Sequence, residues 1–304
     1  MSTASETKAV VKKGGSVAIL LLWALKTAVL WVVLVVGATA AGMLLPIHMP
    51  PAISDGPLNV MQAFAVVNAV IAVALGLVAG NARVRGWHMV PLIFVAYFVI
   101  GAAMMQIETV YFNDSLKLPL DAIASMVGDA AIVGLLVAIA AALLFWPKAE
   151  AAHPLPANLM LRVGAMVLIY EGLYFGAGGF IAWQSAAVRA FYCNGLHIAF
   201  WPLFAFQILR GTLWALIALF IVTRLRGSLL SRALVMAVLF FSLTAVQLLY
   251  PTPFFPWSVR AAHLAEVGSS EFLYGLISTL VLLGGAAKHP QTAPSRWRLI
   301  AGLA

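Results

Sequence analysis

Six charged side chains stand inside stretches of sequence that are otherwise apolar: Lys26, Asp129, Glu171, Arg210, Glu266 and Glu271. A charge at the centre of a bilayer costs about 2.5–3.5 kcal/mol even on the lenient scale derived from helix insertion. Each of these residues therefore needs an opposite charge, a wet cavity or a chemical role. Glu171 and Arg210 fall near the middle of consecutive apolar segments, and consecutive helices with a short connection are normally neighbours. A Glu171–Arg210 ion pair is expected. It would either lock two helices together, or let Arg210 hold an anionic group while Glu171 carries a proton or cation. Asp129 and Glu271, expected at similar depths, would draw cations or protons into an outward-facing vestibule. Hydrogen bonds to Ser125, Ser269 or Ser270 would be the plainer use of the same two carboxylates.

His263 and Glu266 are spaced i, i+3 and so share one helical face. Such a pair can shuttle protons or ligate a metal. A carboxylate-bridged metal site in a helical bundle wants two Glu-x-x-His segments and two further glutamates. Here there is one pair in reversed order, with Arg260 adding positive charge beside it. An interfacial charge cluster is expected, and neither a metal nor a cofactor. Lys26 can send its amine back toward the nearer membrane face by snorkelling. Glu108, at the end of its segment, is expected at the water interface. Gly172, Gly176, Gly178 and Gly179 beside Glu171 suggest close helix contact, or a broken helix offering backbone groups to a ligand.

Familiar catalytic signatures are missing: His-Glu-x-x-His, Gly-x-Ser-x-Gly, a phosphate-binding glycine loop and Cys-x-x-Cys do not occur. His197 and His263 are too little to make an intramembrane protease without a double-glutamate motif. Cys193 is the single cysteine, so neither an intrachain disulfide nor a multi-cysteine zinc site can form.

The elements that must position these residues are membrane spans. The 304 residues are 63% hydrophobic and 9% charged, with mean hydropathy +1.02; a soluble domain carries about 25% charge. Apolar segments fall at 17–44, 58–80, 89–111, 122–146, 160–183, 202–223, 230–250 and 264–286. Each is near the roughly 20 residues a bilayer requires. The first is too long for a signal peptide and is expected to be a permanent span. Lys26 and Arg210 aside, thirteen of the 18 Lys and Arg would share one side with the N-terminus, leaving Lys117, Arg189 and Arg260 opposite. That bias places both termini in the cytoplasm. Basic residues so dispersed argue for topology and against a nucleic-acid partner.

A faint duplication runs through the chain. Lys26 and Gln62 are spaced as Glu171 and Gln207 are; Arg85-Gly86 and Arg226-Gly227 precede Gln106 and Gln247 by equal distances. The reading is all-α: a polytopic integral membrane protein of eight transmembrane helices in residues 17–287, with possible parallel repeats at 17–147 and 160–287. Cytoplasmic tails occupy 1–16 and 288–304, and the expected setting is a bacterial-type inner membrane. The leading function is a carrier for a small polar solute or ion, with the bilayer as partner. Alternatives are an intramembrane enzyme using His263, Glu266 and Glu271 on a lipid, and a non-catalytic complex subunit. Nothing in the sequence fixes an oligomeric state.

Overall fold

Eight helices are long and apolar enough to cross a membrane in the computed structural model, which describes residues 3–45, 54–116, 118–192 and 199–284 (side chains of 3–16 and 115 aside). They are α1 (Thr3–Leu44, apolar over Val17–Leu44), α2 (Val60–Gly80), α3 (Gly86–Tyr111), α4 (Leu120–Leu144), α5 (Leu159–Phe180), α6 (Phe200–Val222), α7 (Leu229–Leu249) and α8 (Trp257–Leu283). Among the described residues there is no strand, only one isolated bridge between Ala82 and Leu225. Large apolar side chains such as Leu161, Leu168 and Phe180 are mostly exposed, as a surface facing hydrocarbon requires. The chain is built as a multi-pass membrane protein.

One boundary differs from expectation. Helix α8 begins at Trp257, directly after Pro256, and not near residue 264. Arg260 and His263 precede the expected span, yet both lie on the continuous helix, where Arg260 pairs with Asp55 and His263 with Glu266. Glu271 therefore lies fourteen residues into α8, about 21 Å along its axis. Asp129 lies nine residues into α4, so the expected match in depth is not met.

Helix α1 packs on α2 and α4, and α4 on α3; α5 packs on α6 and α8, and α8 on α7. The two groups of four meet where α2 runs along α7 and where α3 touches α6 and α7. Small residues set the closest approaches. A Cβ on Gly76 would come within 2.6 Å of Thr27, and one on Gly275 within 2.4 Å of the Met236 carbonyl oxygen. Indole donors of Trp23 and Trp31 bond to the Gly76 and Ala65 carbonyls of α2. In α3 the stretch Val95–Ala103 is wound as a π-helix. The Gly101 carbonyl accepts a 2.8 Å bond from Gln247 Nε2 of α7.

At one end of the bundle, the connections 81–85, 145–158 and 223–228 knit together. Arg83 N bonds to Arg224 O, Arg226 N to Asn81 O, Glu150 N to Arg83 O and His153 N to Thr223 O. Gly227, at φ +106°, holds a conformation that other residues adopt only with strain. Lys26 directs its amine toward this end, 5.5 Å from the Phe145 ring, as snorkelling requires.

His153 sits in this knot against Arg232. Burial, then the charges of Arg232 and Arg83, push its pKa down from 6.5 to about 4. Its unfolded value is the higher one, so its contribution to stability is complete above about pH 6.5. That contribution is lost as the pH falls from about 6.5 to about 4, because only the unfolded chain takes up the proton. Melting curves over this range should show a pH slope that His153→Gln reduces; an unchanged slope would remove His153 as the cause.

At the other end Arg260 acts as a clamp. It is 1% exposed and donates to the carbonyls of Leu248, Tyr250 and Phe255. It also pairs with the Asp55 carboxylate, whose second oxygen accepts from Trp257 N. Its charge is spent on fastening two loops to α8 and is not directed at His263.

Candidate functional site

The Arg210 side chain lies in the interior of the second group of helices, 2% exposed. Its ion-pair partner is Glu108 of α3, at 2.8 Å, and not Glu171. Geometry explains the choice. Glu108 lies one turn from the end of α3, where that helix touches α6, so its carboxylate meets the guanidinium while remaining 24% exposed. Arg210 Nη1 also donates to Gln207 Oε1 at 2.9 Å. The same oxygen accepts from Tyr170 OH at 3.0 Å, and Tyr174 OH reaches Glu108 Oε1 at 3.3 Å. Glu271 approaches from α8 closely enough for its charge to be felt by both Arg210 and Glu108.

This layer joins α3, α5, α6 and α8 through spacing. Gln207, Arg210 and Trp214 recur at i, i+3 and i+7 on α6; Tyr170 and Tyr174 are one turn apart on α5; Glu271 and Tyr274 are i, i+3 on α8. Aromatic rings close the deep side. Tyr274 stands edge-on to Tyr170 at 5.8 Å and packs against Phe240, which in turn meets Trp214. Several buried polar atoms of this layer have no protein partner: Gln207 Nε2, Arg210 Nε, Glu271 Oε2 and Tyr274 OH, while the Trp214 indole lies beside the Tyr170 hydroxyl. Native interiors leave few such atoms unpaired.

Glu171 is a separate case. It is 6% exposed, and neither carboxylate oxygen has a hydrogen-bond partner. The glycines around it do not make a tight contact. A Cβ on Gly172, Gly176 or Gly179 would meet nothing within 4 Å, and one on Gly178 would touch only Glu266 Oε1 at 3.4 Å. Nor is the helix broken, since α5 runs unbroken through to Phe180. Asp129 is half-buried in the first group of helices, within electrostatic reach of Tyr97 and Tyr250. Asn68 Nδ2 contacts Tyr250 OH at 3.4 Å. Asp129 and Glu271 thus have different electrostatic neighbours.

The His263–Glu266 pair is formed as its spacing predicts, with Nδ1 2.6 Å from Oε2. A third member comes from the short helix Ala186–Tyr192, whose Tyr192 OH lies 3.1 Å from His263 Nε2. Burial, then the charges of Glu266 and Glu108, raise the Tyr192 pKa, so the phenol keeps its proton beside the imidazole. Among the described residues no three His, Cys, Asp or Glu side chains gather as a metal site would need. Cys193 and His197 lie outside the described residues. A shallow apolar groove of about 500 Å³ between α7 and α8, lined by Phe241, Leu264, Gly268 and Phe272 among others, includes none of these charges.

No family model, curated protein or solved structure matches the chain. What the protein does must be read from this geometry.

Sequence reasoning named Arg210, Glu271, His263 and Glu266, but set Glu108 at the water interface and missed Gln207, Trp214, Tyr170, Tyr274 and Tyr192. The helical spacing of Gln207 and Trp214 around Arg210 was the available signal.

Proposed function

We propose that the protein is a carrier for a small polar solute, with its binding site at the Glu108–Arg210–Glu271 layer. One observation carries this reading: unpartnered donors and acceptors from α6 and α8 are concentrated around a buried ion pair. A structural pair alone is better off fully satisfied, because each unpaired buried polar group costs about 1–3 kcal/mol. A solute that supplies the missing hydrogen bonds recovers that cost on binding. The π-helical winding of Val95–Ala103 in α3 agrees with such a role, since π-helical turns are frequent at functional sites.

The helix neighbours support a parallel four-plus-four repeat. Adding four to each helix number maps α1–α2 onto α5–α6, α1–α4 onto α5–α8, and α3–α4 onto α7–α8. Exchanging the halves carries the α2–α7 contact onto α6–α3. Gly134 and Gly275 differ by 141 positions, as do Gly86 and Gly227. Gly134 sits against Tyr97 and Phe98 of α3, and Gly275 against Met236 and Ala237 of α7. The first-half copies of the site have diverged: Gln62, the counterpart of Gln207, caps α2 through Asn59. The knotted end carries Arg83, Arg85, Lys148, Arg224, Arg226 and Arg232, which favours a cytoplasmic placement for it. Both termini would then be inside, in a membrane of the bacterial inner type, and the binding layer would open to the outside past Glu108.

Accessibility tests this reading. In a Cys193→Ser background, single cysteines at positions 171 and 271 should react with a membrane-impermeant maleimide added to intact cells. Protection of both, in variants that insert and fold, would make these sealed structural positions and end the carrier reading.

A second reading rests on Tyr192, His263 and Glu266. A base oriented by a carboxylate and touching a hydroxyl is the arrangement of general acid–base catalysis. At the end of the bundle it would act on a lipid headgroup. Full activity in a His263→Ala variant would exclude it.

A further inference from the structure

We propose that the last two turns of α3, Met104–Tyr111, are a gate over the binding layer, hinged on the π-helical stretch Val95–Ala103. This inference rests on the carrier reading above and says how its site is opened and closed. The first support is a contrast along α3 itself. The π-helical stretch is clamped on two sides. A Cβ on Gly134 of α4 would come within 3.0 Å of Tyr97 and 3.4 Å of Phe98, and Gln247 of α7 holds the Gly101 carbonyl. Beyond Ala103 the clamp ends. Among the described residues, no other spanning helix packs its backbone along Met104–Tyr111. Side chains from α5 and α6 hold these turns instead. Arg210 Nη2 reaches Glu108 at 2.8 Å and the Met104 carbonyl at 3.4 Å. Tyr174 OH reaches Glu108 at 3.3 Å, and Tyr111 stacks on Phe206 with ring centroids 4.0 Å apart. Long side chains that bridge a gap can let go without two helix backbones being pulled apart. The hinge suits the gate, because the regular i→i−4 ladder is interrupted there, with Met104 N bonded to Val99 O, and such segments are where helices bend.

The second support is the sister seam. Exchanging the halves carries the α3–α6 contact onto α2–α7, where Asn68 Nδ2 meets Tyr250 OH at 3.4 Å. Asn68 and Tyr250 each stand 142 positions from Arg210 and Glu108 (210 − 68 and 250 − 108). The two contacts therefore occupy matching places, but they are built differently. Helix α2 packs along α7 through its backbone, and the pair there is neutral. Across α3–α6 an ion pair and a ring stack span a gap, beside the unpartnered Gln207 Nε2 and Arg210 Nε. The α2–α7 seam joins the two halves permanently, while the α3–α6 seam is latched.

Distances between pairs of nitroxide labels, measured by pulsed electron paramagnetic resonance on the purified protein in a Cys193→Ser background, test this. Positions 110 and 209 straddle the latch. Val110 and Leu209 are 53% and 57% exposed, so labels there leave the latch itself untouched. Glu108→Gln removes the charge that Arg210 holds, and Tyr111→Ala removes the stack without altering any charge. Either should lengthen the 110–209 distance by about 5 Å, since a bend of about 25° carries the tip of an arm ~12 Å long that far. The 87–216 pair, toward the other end of α3 and α6, and the 73–234 pair, on α2 and α7, should keep their wild-type distances. An unchanged 110–209 distance in both folded variants overturns the proposal. So does an equal change at 87–216, which would mean that α3 moves as a rigid rod. If the gate fails in either way while cysteine 271 is labelled from outside, the carrier reading stands. Protection of both 171 and 271 removes the carrier reading, and the gate with it.

Discussion

Glu108→Met will cost about 3–5 kcal/mol of stability, the most damaging exchange of a single charged residue expected in this protein. Removing one partner of a buried ion pair leaves the other charge uncompensated, which is where that magnitude comes from. The two partners are not equivalent. Arg210 is 2% exposed and Glu108 24%, so the charge stranded by Glu108→Met is the deeper one. Arg210→Met leaves Glu108, which is 24% exposed and can regain water, and should cost less. The double variant Glu108→Met with Arg210→Met removes both charges and should recover most of the loss, ending within about 1–2 kcal/mol of wild type. Thermal or denaturant unfolding in detergent, run as a double-mutant cycle, measures the coupling directly. Additive costs would show that the pair does not hold the helices.

Gly275→Leu will prevent α7 and α8 from packing, and Gly275→Ala will already cost about 2–3 kcal/mol through overpacking. A Cβ here meets backbone, 2.4 Å from Met236 O, 2.7 Å from Met236 C and 2.8 Å from Ala237 Cα. Backbone inside a helix cannot step aside alone, so the whole of α7 must retreat, and with it the floor residue Phe240. Gly172→Ala is the matching control. Nothing lies within 4 Å of that Cβ, and alanine is preferred over glycine within a helix by about 1 kcal/mol. It should be neutral or slightly stabilising. Melting temperatures of the three variants decide the matter: a harmless Gly275→Ala would mean that α7 and α8 pack less closely than described.

The two glycine positions also mark where sequence reasoning stops. Gly172 and Gly176 have the spacing of a small-residue contact, yet they lie on an open face of α5; Gly275 and Thr279 have the same spacing, and Gly275 makes the tightest contact between two spanning helices among the described glycines. A small-xxx-small pattern reports what a helix face permits, not whether a neighbour comes there. The Glu171–Arg210 pairing failed for a related reason. Spans five and six are neighbours as expected, but adjacency leaves the rotation of each helix open. Arg210 faces α3 and finds Glu108, 102 positions away in the chain (210 − 108).

The sequence by itself determined the eight spans, the gathering of basic residues at one end, the direction taken by Lys26 and the His263–Glu266 pair. Each follows from composition over about twenty residues or from contacts within one helical turn, which chain geometry dictates without a fold. Only the tertiary structure decided that Arg210 pairs with Glu108, that Glu171 has no partner, that Asp129 and Glu271 have different electrostatic neighbours, and that Tyr192 completes the histidine cluster. Helices apolar on every side carry no signal of which face turns inward. That choice is made by packing, where a few glycines and aromatic rings fix how closely and at what rotation neighbouring helices meet.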